Sequence, residues 1–148
     1  MYFVQCKYRS ALEDYTTAIK IAPQNSDVYR ERGRVYYDQG NFELANKDFT
    51  YSIKLNPKDD VAYNHLALTF KRLNKFEQAV REFTSAISNT KDNICPYLMN
   101  RGSTYNKLGK KDLAIKDYKK AADLGFEDGS KSLKEFYNID YPVGKVKK

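Results

Sequence analysis

Small and aromatic residues recur at fixed offsets along the chain, and polar residues fill most of the positions between them. In the segment LANKDFTYSIKLNP, Ala45 lies four residues before Phe49, and Ser52 follows three residues later. Residues at these offsets share one face of an α-helix, so the stripe predicts a helix that packs closely against a neighbour. The stripe occurs four times, and its leading residues are Ala11, Ala45, Ala79 and Ala114. Their spacing of 34, 34 and 35 residues predicts a repeat protein.

A second helix is predicted ahead of each of the last three stripes. Apolar and small residues recur there at offsets of three and four, which describe one helix face. The midpoint of this face carries a residue small enough for close approach: Gly33, Ala67 and Gly102. The helix then reaches a residue that tolerates the left-handed conformation of a helix end: Gly40, Asn74 and Gly109. Each repeat is therefore predicted to be a helical hairpin.

The hairpins resemble the tetratricopeptide repeat (TPR) family, whose 34-residue pattern is W-x2-L-G-x2-Y, then A-x3-F, then P. The resemblance divides the chain into a partial unit and three full units: 2–25, 26–59, 60–94 and 95–128. It implies an all-α fold, a right-handed superhelical stack of antiparallel helix pairs that forms a TPR α-solenoid.

Three departures from the family pattern bear on packing. The chain has no Trp, and that position is held by Tyr29, Tyr63 and Leu98. Arg32 and Arg101 replace Leu in the second and fourth units. The closing Pro is absent from the last two units. Because repeat units keep the shape of a side chain more often than its identity, we expect the fold to tolerate these changes.

The C-terminal end of the array is predicted to be covered. Residues 129–138 combine charged faces with one apolar face and predict a cap helix, so the TPR array is expected to span residues 1–138. The apolar face consists of Leu133, Phe136 and Tyr137. Residues 139–148 are expected to form a partly disordered basic tail.

The N-terminal end is predicted to be open. Tyr2 occupies the last aromatic position of a first helix that is otherwise missing. The chain is therefore interpreted as a fragment of a longer repeat protein, with a short substitute cap formed by MYFVQCKYR as the alternative. The fragment is favoured because Tyr15 and Ala18 otherwise lack a partner helix. An uncovered apolar face of this kind also raises the hypothesis of self-association.

The residues needed for catalysis or metal binding are scarce. His65 is the single histidine, so a His-pair metal site is excluded. The segment GSTYNKLGKK has the wrong spacing for a phosphate loop, because six residues separate Gly102 from Gly109. Lys110 is also followed by Lys111 where such a loop has Ser or Thr. The sequence therefore predicts a protein that is not an enzyme and that has no cofactor and no metal site.

Cysteine use and apolar runs bear on location. Cys6 and Cys95 are 89 residues apart in different units, which favours free thiols over a disulfide. Free thiols suit a reducing compartment, so a cytoplasmic location is expected. No apolar run approaches the length of a membrane span.

The resemblance also implies where a partner binds. In TPR proteins the first helices of successive units line a concave groove that commonly holds extended peptides. The groove positions here carry five cations against three acids, and asparagine amides can hold a peptide backbone while arginines suit carboxylates. The candidate residues are Arg30, Arg34, Tyr37, Asn64, His65, Leu68, Lys71, Arg72, Asn100 and Lys107. The expected function is a non-catalytic scaffold or adaptor that binds an acidic or C-terminal peptide of another protein; solvated side chains on an open face are the alternative.

The chaperone-binding subclass of TPR domains is not matched. That subclass grips a C-terminal carboxylate with Lys and Asn, then Asn, then Lys and Arg, on three successive first helices. The corresponding residues here are Arg30, Arg34, His65, Pro96 and Asn100. Only one cation fits its position, and the third helix supplies none, so the sequence argues against a chaperone clamp.

Net charge raises a rival hypothesis. The chain carries +7, and residues 101–148 account for +5 of it, with 12 basic and 7 acidic residues. A polyanion or nucleic acid bound by this basic C-terminal end is therefore the alternative function. Most of the 13 tyrosines are explained as packing positions and no base-reading motif is present, so a protein partner is favoured over nucleic acid.

Overall fold

The computed structural model describes the backbone of residues 2–144 and the side chains of residues 7–144. In these residues the regular structure is entirely helical. The helices are α1 (Tyr2–Ile21), α2 (Ser26–Asp38), α3 (Phe42–Leu55), α4 (Asp60–Arg72), α5 (Phe76–Asn89), α6 (Cys95–Lys107), α7 (Lys111–Asp123) and α8 (Glu127–Tyr137). Each helix packs mainly on its neighbours along the chain, and the apolar interior is a row of small clusters. The all-α stack predicted from the sequence is confirmed.

The three hairpins α2–α3, α4–α5 and α6–α7 turn at the predicted residues. Gly40, Asn74 and Gly109 have φ angles of 80°, 57° and 69°, in the left-handed region. This conformation lets the next residue bond back into the helix, as when the Lys75 N–H donates to the Phe70 carbonyl at 2.8 Å. The turns therefore follow from local sequence.

The small–large–small stripe sets the distance between the two helices of a hairpin. Phe49 and Tyr118 are almost completely buried, and each ring lies against a glycine of the first helix. A Cβ atom added at Gly33 would lie 2.9 Å from Phe49 Cε1, and one added at Gly102 would lie 2.8 Å from Tyr118 Cε1. Since real Cβ contacts are longer than this, the ring occupies the space that a side chain would need.

Two arginines that depart from the family pattern form ion pairs across the hairpins. Arg32 donates to both carboxylate oxygens of Asp48 at 2.7 and 2.8 Å, and Arg101 does the same with Asp117 at 2.8 and 2.7 Å. Arg101 also donates to Thr84 of α5 at 3.0 Å. Bidentate pairs of this kind fix orientation as well as charge. They occupy the place of the missing leucines without changing the helix arrangement.

The N-terminal segment differs from one of the two predicted alternatives. Residues 2–9 continue α1 as one helix, so the substitute cap is wrong. Cys6 lies 34 residues before Gly40, where the other units have the left-handed Gly or Asn of a turn. A side chain with a Cβ disfavours that conformation, so the helix runs on. No described residue of α1 is buried, and Tyr15 and Ala18 are only half-buried.

The C-terminal segment packs against the last helix pair of the array. α8 packs on α7 and buries Leu133. Residues 139–144, expected to belong to a partly disordered tail, return across the end of α7. The Gly144 N–H donates to the Ala122 carbonyl at 2.8 Å, and Tyr141 Oη donates to Asp123 Oδ1 at 2.9 Å. Residues 139–144 of the predicted tail thus contact the end of α7, and residues 145–148 lie outside the described residues.

Candidate functional site

The candidate residues lie on α2, α4 and α6, and we call the surface that these helices share the first-helix surface. Side-chain hydrogen bonds join α4 to α6 on it. Asn100 Nδ2 donates to Asn64 Oδ1 at 3.3 Å, and Lys71 Nζ donates to Ser103 Oγ at 2.7 Å. We call α2, α4 and α6 the first, second and third levels of this surface.

Arg30, at the first level, is surrounded by carboxylates. Its guanidinium donates to Asp27 at 2.8 Å and to Asp59, and its Nε atom lies 3.5 Å from Glu31 Oε1. Asp59 is buried and caps α4 by accepting the Ala62 N–H at 3.0 Å. Arg30 therefore ties α2 to the start of α4, and its charge is already compensated.

Arg34 and His65 also lie in compensated or enclosed surroundings. Arg34 Nη1 is 3.3 Å from Glu31 Oε2, although the Arg34 side chain is 56% exposed. The His65 ring stacks on Phe49 with centroids 5.4 Å apart and an interplanar angle of 13°. Burial, followed by the charge of Arg34, lowers the pKa of His65. His65 is therefore a neutral ring at pH 7 beneath the first-helix surface.

The remaining cations surround a cavity of about 390 Å³ that all three levels line. We call it the cationic cavity, and its lining residues are Tyr37, Leu68, Lys71, Arg72, Asn74, Phe76 and Lys107. None of these residues is acidic. Burial, followed by the charge of Lys107, lowers the pKa of Lys71. The Arg72 guanidinium lies 5.1 Å from the centroid of the Phe42 ring.

The structure thus divides the candidate residues into three groups. Five of them line the cationic cavity: Tyr37, Leu68, Lys71, Arg72 and Lys107. Asn64 and Asn100 form a separate amide pair, and Arg30, Arg34 and His65 lie outside the cavity lining.

Sequence reasoning missed three residues that shape this surface: Asp59, Asn74 and Phe76. Phe76 lines the cavity although it begins a second helix, and Asp59 neutralises Arg30 from a position just before α4. The position of Asp59 could have been predicted from the sequence, because an aspartate just before a helix commonly caps it.

Other kinds of site were searched within the same part of the chain. No group of three or more His, Cys, Asp or Glu side chains could hold a metal ion among the described residues. None of the described helices is both long and apolar enough to cross a membrane. Cys95 is a free, buried thiol whose pKa burial raises.

Three solved structures with a similar arrangement of helices illustrate the fold. A crystal structure of MamA is 21% identical with a TM-score of 0.81, and the match covers 91% of this chain and 80% of MamA. The N-terminal domain of stress-induced protein-1 from C. elegans is 21% identical with a TM-score of 0.69, covering 74% and 92%. The first TPR of Spaghetti (RPAP3), bound to the HSP90 peptide SRMEEVD, is 24% identical with a TM-score of 0.65, covering 74% and 94%. At these identities the likeness extends to the fold alone.

Family models match most of the chain. A TPR repeat model matches residues 1–40, a tetratricopeptide repeat model matches residues 26–59, and a second tetratricopeptide repeat model matches residues 61–93 and 96–124. No curated protein matches the chain. The helix hairpins, their turn residues and these matches agree, and the chain belongs to the tetratricopeptide repeat family.

Proposed function

We propose that this protein is a non-catalytic scaffold whose first-helix surface binds an extended acidic or C-terminal segment of a partner protein. The observation that carries the proposal is the cationic cavity, where Lys71, Arg72 and Lys107 meet without an acidic lining residue. Carboxylates form charge-assisted hydrogen bonds with such cations. The peptide SRMEEVD on the first TPR of Spaghetti gives an example of an acidic segment bound by the same fold.

The amide pair supplies a second point of contact for the same peptide. Asn100 Nδ2 donates to Asn64 Oδ1, so the amide nitrogen of Asn64 and the amide oxygen of Asn100 remain for a ligand. One donor and one acceptor match the C=O and N–H of an extended backbone. Asn64 and Lys71 are seven residues apart on α4, about 10 Å along its axis. An extended chain rises about 3.3 Å per residue, so an acidic residue about three positions from the held peptide unit would reach Lys71.

The proposal is tested with a pair of immobilised peptide libraries. One carries Asp and Glu at fixed positions, and the other carries Asn and Gln at the same positions. We expect retention of acidic peptides with micromolar affinity that weakens with salt, because Arg72 and Lys107 are exposed. Charge reversal of Lys71 and Lys107 should abolish retention. Reversal of Lys116 and Lys120, which are exposed on α7, is the matched control and should leave retention unchanged.

The same assay decides between the proposal and its alternative, a polyanion bound by the basic C-terminal end. Neutralising Lys145, Lys147 and Lys148 should have little effect if the first-helix surface binds the partner. If this neutralisation removes binding while reversal of Lys71 and Lys107 does not, the alternative is correct. Equal retention of both libraries would also contradict the proposal.

We also propose self-association through α1. None of the described side chains of α1 is buried, and Leu12 lines an open cavity of about 480 Å³ beside α2. Covering this half-exposed face with a second copy would remove apolar surface from water. Light scattering over a wide concentration range should show a concentration-dependent dimer that Leu12→Glu weakens. A constant monomer mass would contradict this proposal without affecting the first.

A further inference from the structure

The cationic cavity differs from the sites of Arg30, Arg32 and Arg101 because no carboxylate lines it. Arg30, Arg32 and Arg101 each pair with an aspartate. Within the described part of the chain, no ion pair joins Lys71, Arg72 or Lys107 to a carboxylate. Three positive charges therefore converge on one cavity, and the protein leaves them uncompensated.

Lys71 is held in position by a hydrogen bond between α4 and α6. Its ammonium group donates to Ser103 Oγ at 2.7 Å, and the Ser103 hydroxyl donates in turn to the Asn100 carbonyl at 2.9 Å. Ser103 is thus fixed as an acceptor, and two of the three ammonium protons remain available. The lowered pKa of Lys71, caused by burial and then by Lys107, means that the folded protein keeps this charge at a cost. A bound anion would remove that cost.

The number of charges and the shape of the cavity favour a phosphate monoester over a carboxylate. A phosphorylated side chain carries a charge of about −1.5 to −2 and three acceptor oxygens, whereas a carboxylate carries one charge and two oxygens. The lining also includes the apolar surfaces of Tyr37, Leu68 and Phe76, which suit the stem of a side chain. Arg72 lies against Phe42, so its guanidinium is already restricted before a ligand arrives.

We infer that the cationic cavity binds a phosphorylated side chain of the partner peptide, so that phosphorylation of the partner controls its binding. This inference rests on the proposed function and specifies the ligand at one part of the first-helix surface. Lys71 and Lys107 would bind the phosphate oxygens, Arg72 would add a guanidinium contact, and the apolar lining residues would contact the stem.

The test uses the full chain and three matched peptides, Ac-Ala-Xaa-Ala-NH2, in which Xaa is serine, phosphoserine or glutamate. Binding is followed by ¹H–¹⁵N NMR. The phosphoserine peptide should shift the amides of residues 68–76 and 103–109 and bind about tenfold more tightly than the glutamate peptide. Lys71→Met and Lys107→Met should each remove this preference. The double variant Lys116→Met/Lys120→Met should keep it. Thermal melts establish that each variant is folded.

Each other outcome overturns the inference in a distinct way. Equal affinity for the phosphoserine and glutamate peptides would make the cavity a carboxylate site, and the proposed function would stand. Inorganic phosphate that binds as tightly as the phosphoserine peptide would indicate a site for the free anion. A single-stranded oligonucleotide that binds more tightly, with loss on Lys71→Met, would indicate a nucleic acid. If none of these ligands shifts the cavity amides, the inference is wrong, and the acidic library still tests the proposed function.

Discussion

The first and third levels of the first-helix surface share the same packing framework. They differ in whether a carboxylate pairs with the cations that they carry. α2 and α6 each place a glycine against a buried ring, Gly33 against Phe49 and Gly102 against Tyr118. On α2, Arg30 is paired with aspartates, whereas on α6 Lys107 faces a cavity without an acidic residue. Cations on the first helices can thus be paired with a carboxylate at one level and unpaired at another.

The difference arises outside the first helices. Asp59 lies in the link before α4, where its backbone and capping role fix the carboxylate beside Arg30. No acid lines the cavity at the other end of α4, so no carboxylate compensates the charge of Lys71 there. The residues that neighbour a first helix therefore decide whether a cation on it is compensated.

Changes to the shared framework should have the largest effect and should be equal at both levels. Gly33→Leu and Gly102→Leu are each expected to lower the free energy of unfolding by about 3 kcal/mol, because the new side chain would overlap a buried ring. Urea denaturation measures both. Gly109→Ala is the control for backbone strain: nothing lies within 4 Å of its added Cβ, so a cost of about 1 kcal/mol is expected from its positive φ. A large difference between the two leucine variants would show that the levels differ in packing as well as in charge.

The next effect should separate two arginines of the first level. Arg30→Ala is expected to cost about 2 kcal/mol, because it leaves the buried carboxylate of Asp59 without its ion pair. Arg34→Ala should cost less than about 0.5 kcal/mol, since that side chain is mostly exposed. Thermal and urea unfolding of the two variants provide the comparison. Equal stabilities would contradict the structural role given to Arg30.

Peptide binding should depend more on the cationic cavity than on the first level. Lys71→Ala is expected to weaken binding of an acidic peptide about tenfold at low salt, or about 1.4 kcal/mol, because it removes a held donor from the cationic cavity. Arg34→Ala should weaken binding about twofold or less, because Glu31 already compensates its charge. Fluorescence anisotropy with a labelled peptide measures both. A greater loss of peptide affinity with Arg34→Ala than with Lys71→Ala would show that the peptide binds at the first level.

The smallest effect concerns the single histidine between the two regions. The folded-state pKa of His65 lies below its unfolded value because of burial and then Arg34. Below the unfolded pKa, the unfolded chain takes up a proton that the folded chain does not, so the free energy of unfolding should fall as pH drops from about 7 towards 5. His65→Phe should reduce this slope, and Arg34→Ala should reduce it by a smaller amount. An unchanged slope in His65→Phe would assign the acid sensitivity to other groups.

The hairpins were predictable because their signals are local. A glycine or asparagine at positions 40, 74 and 109 follows the end of each first helix. A small residue opposite an aromatic ring then fixes the distance between the two helices of the hairpin. The continuous α1 does not follow from the aromatic positions; it follows from Cys6, which stands where the other units have a turn glycine or asparagine. When the repeat length is known, the absence of a turn residue at its expected position predicts that the helix continues.

The site was less predictable because its contacts are not local. Arg30 and Lys71 both occupy groove positions of first helices, yet Asp59 pairs with Arg30 and no carboxylate of the described residues pairs with Lys71. Asp59 is 29 residues from Arg30, and Phe76 reaches the cavity from the second helix of a hairpin. Spacing identifies which side chains face one surface, but it does not identify the charges that approach them from neighbouring segments.

The returning segment at residues 139–144 has a consequence for polymerisation. Repeat stacks can join head to tail, and because such contacts use two different surfaces, they extend into open filaments. Here α8 covers the face of α7 that would receive another pair, and Gly144 and Tyr141 hold the following segment to the end of α7. If two copies associate through α1, as proposed above, they would use the same surface twice. Such a pair would be related by a twofold axis and would not extend into a filament.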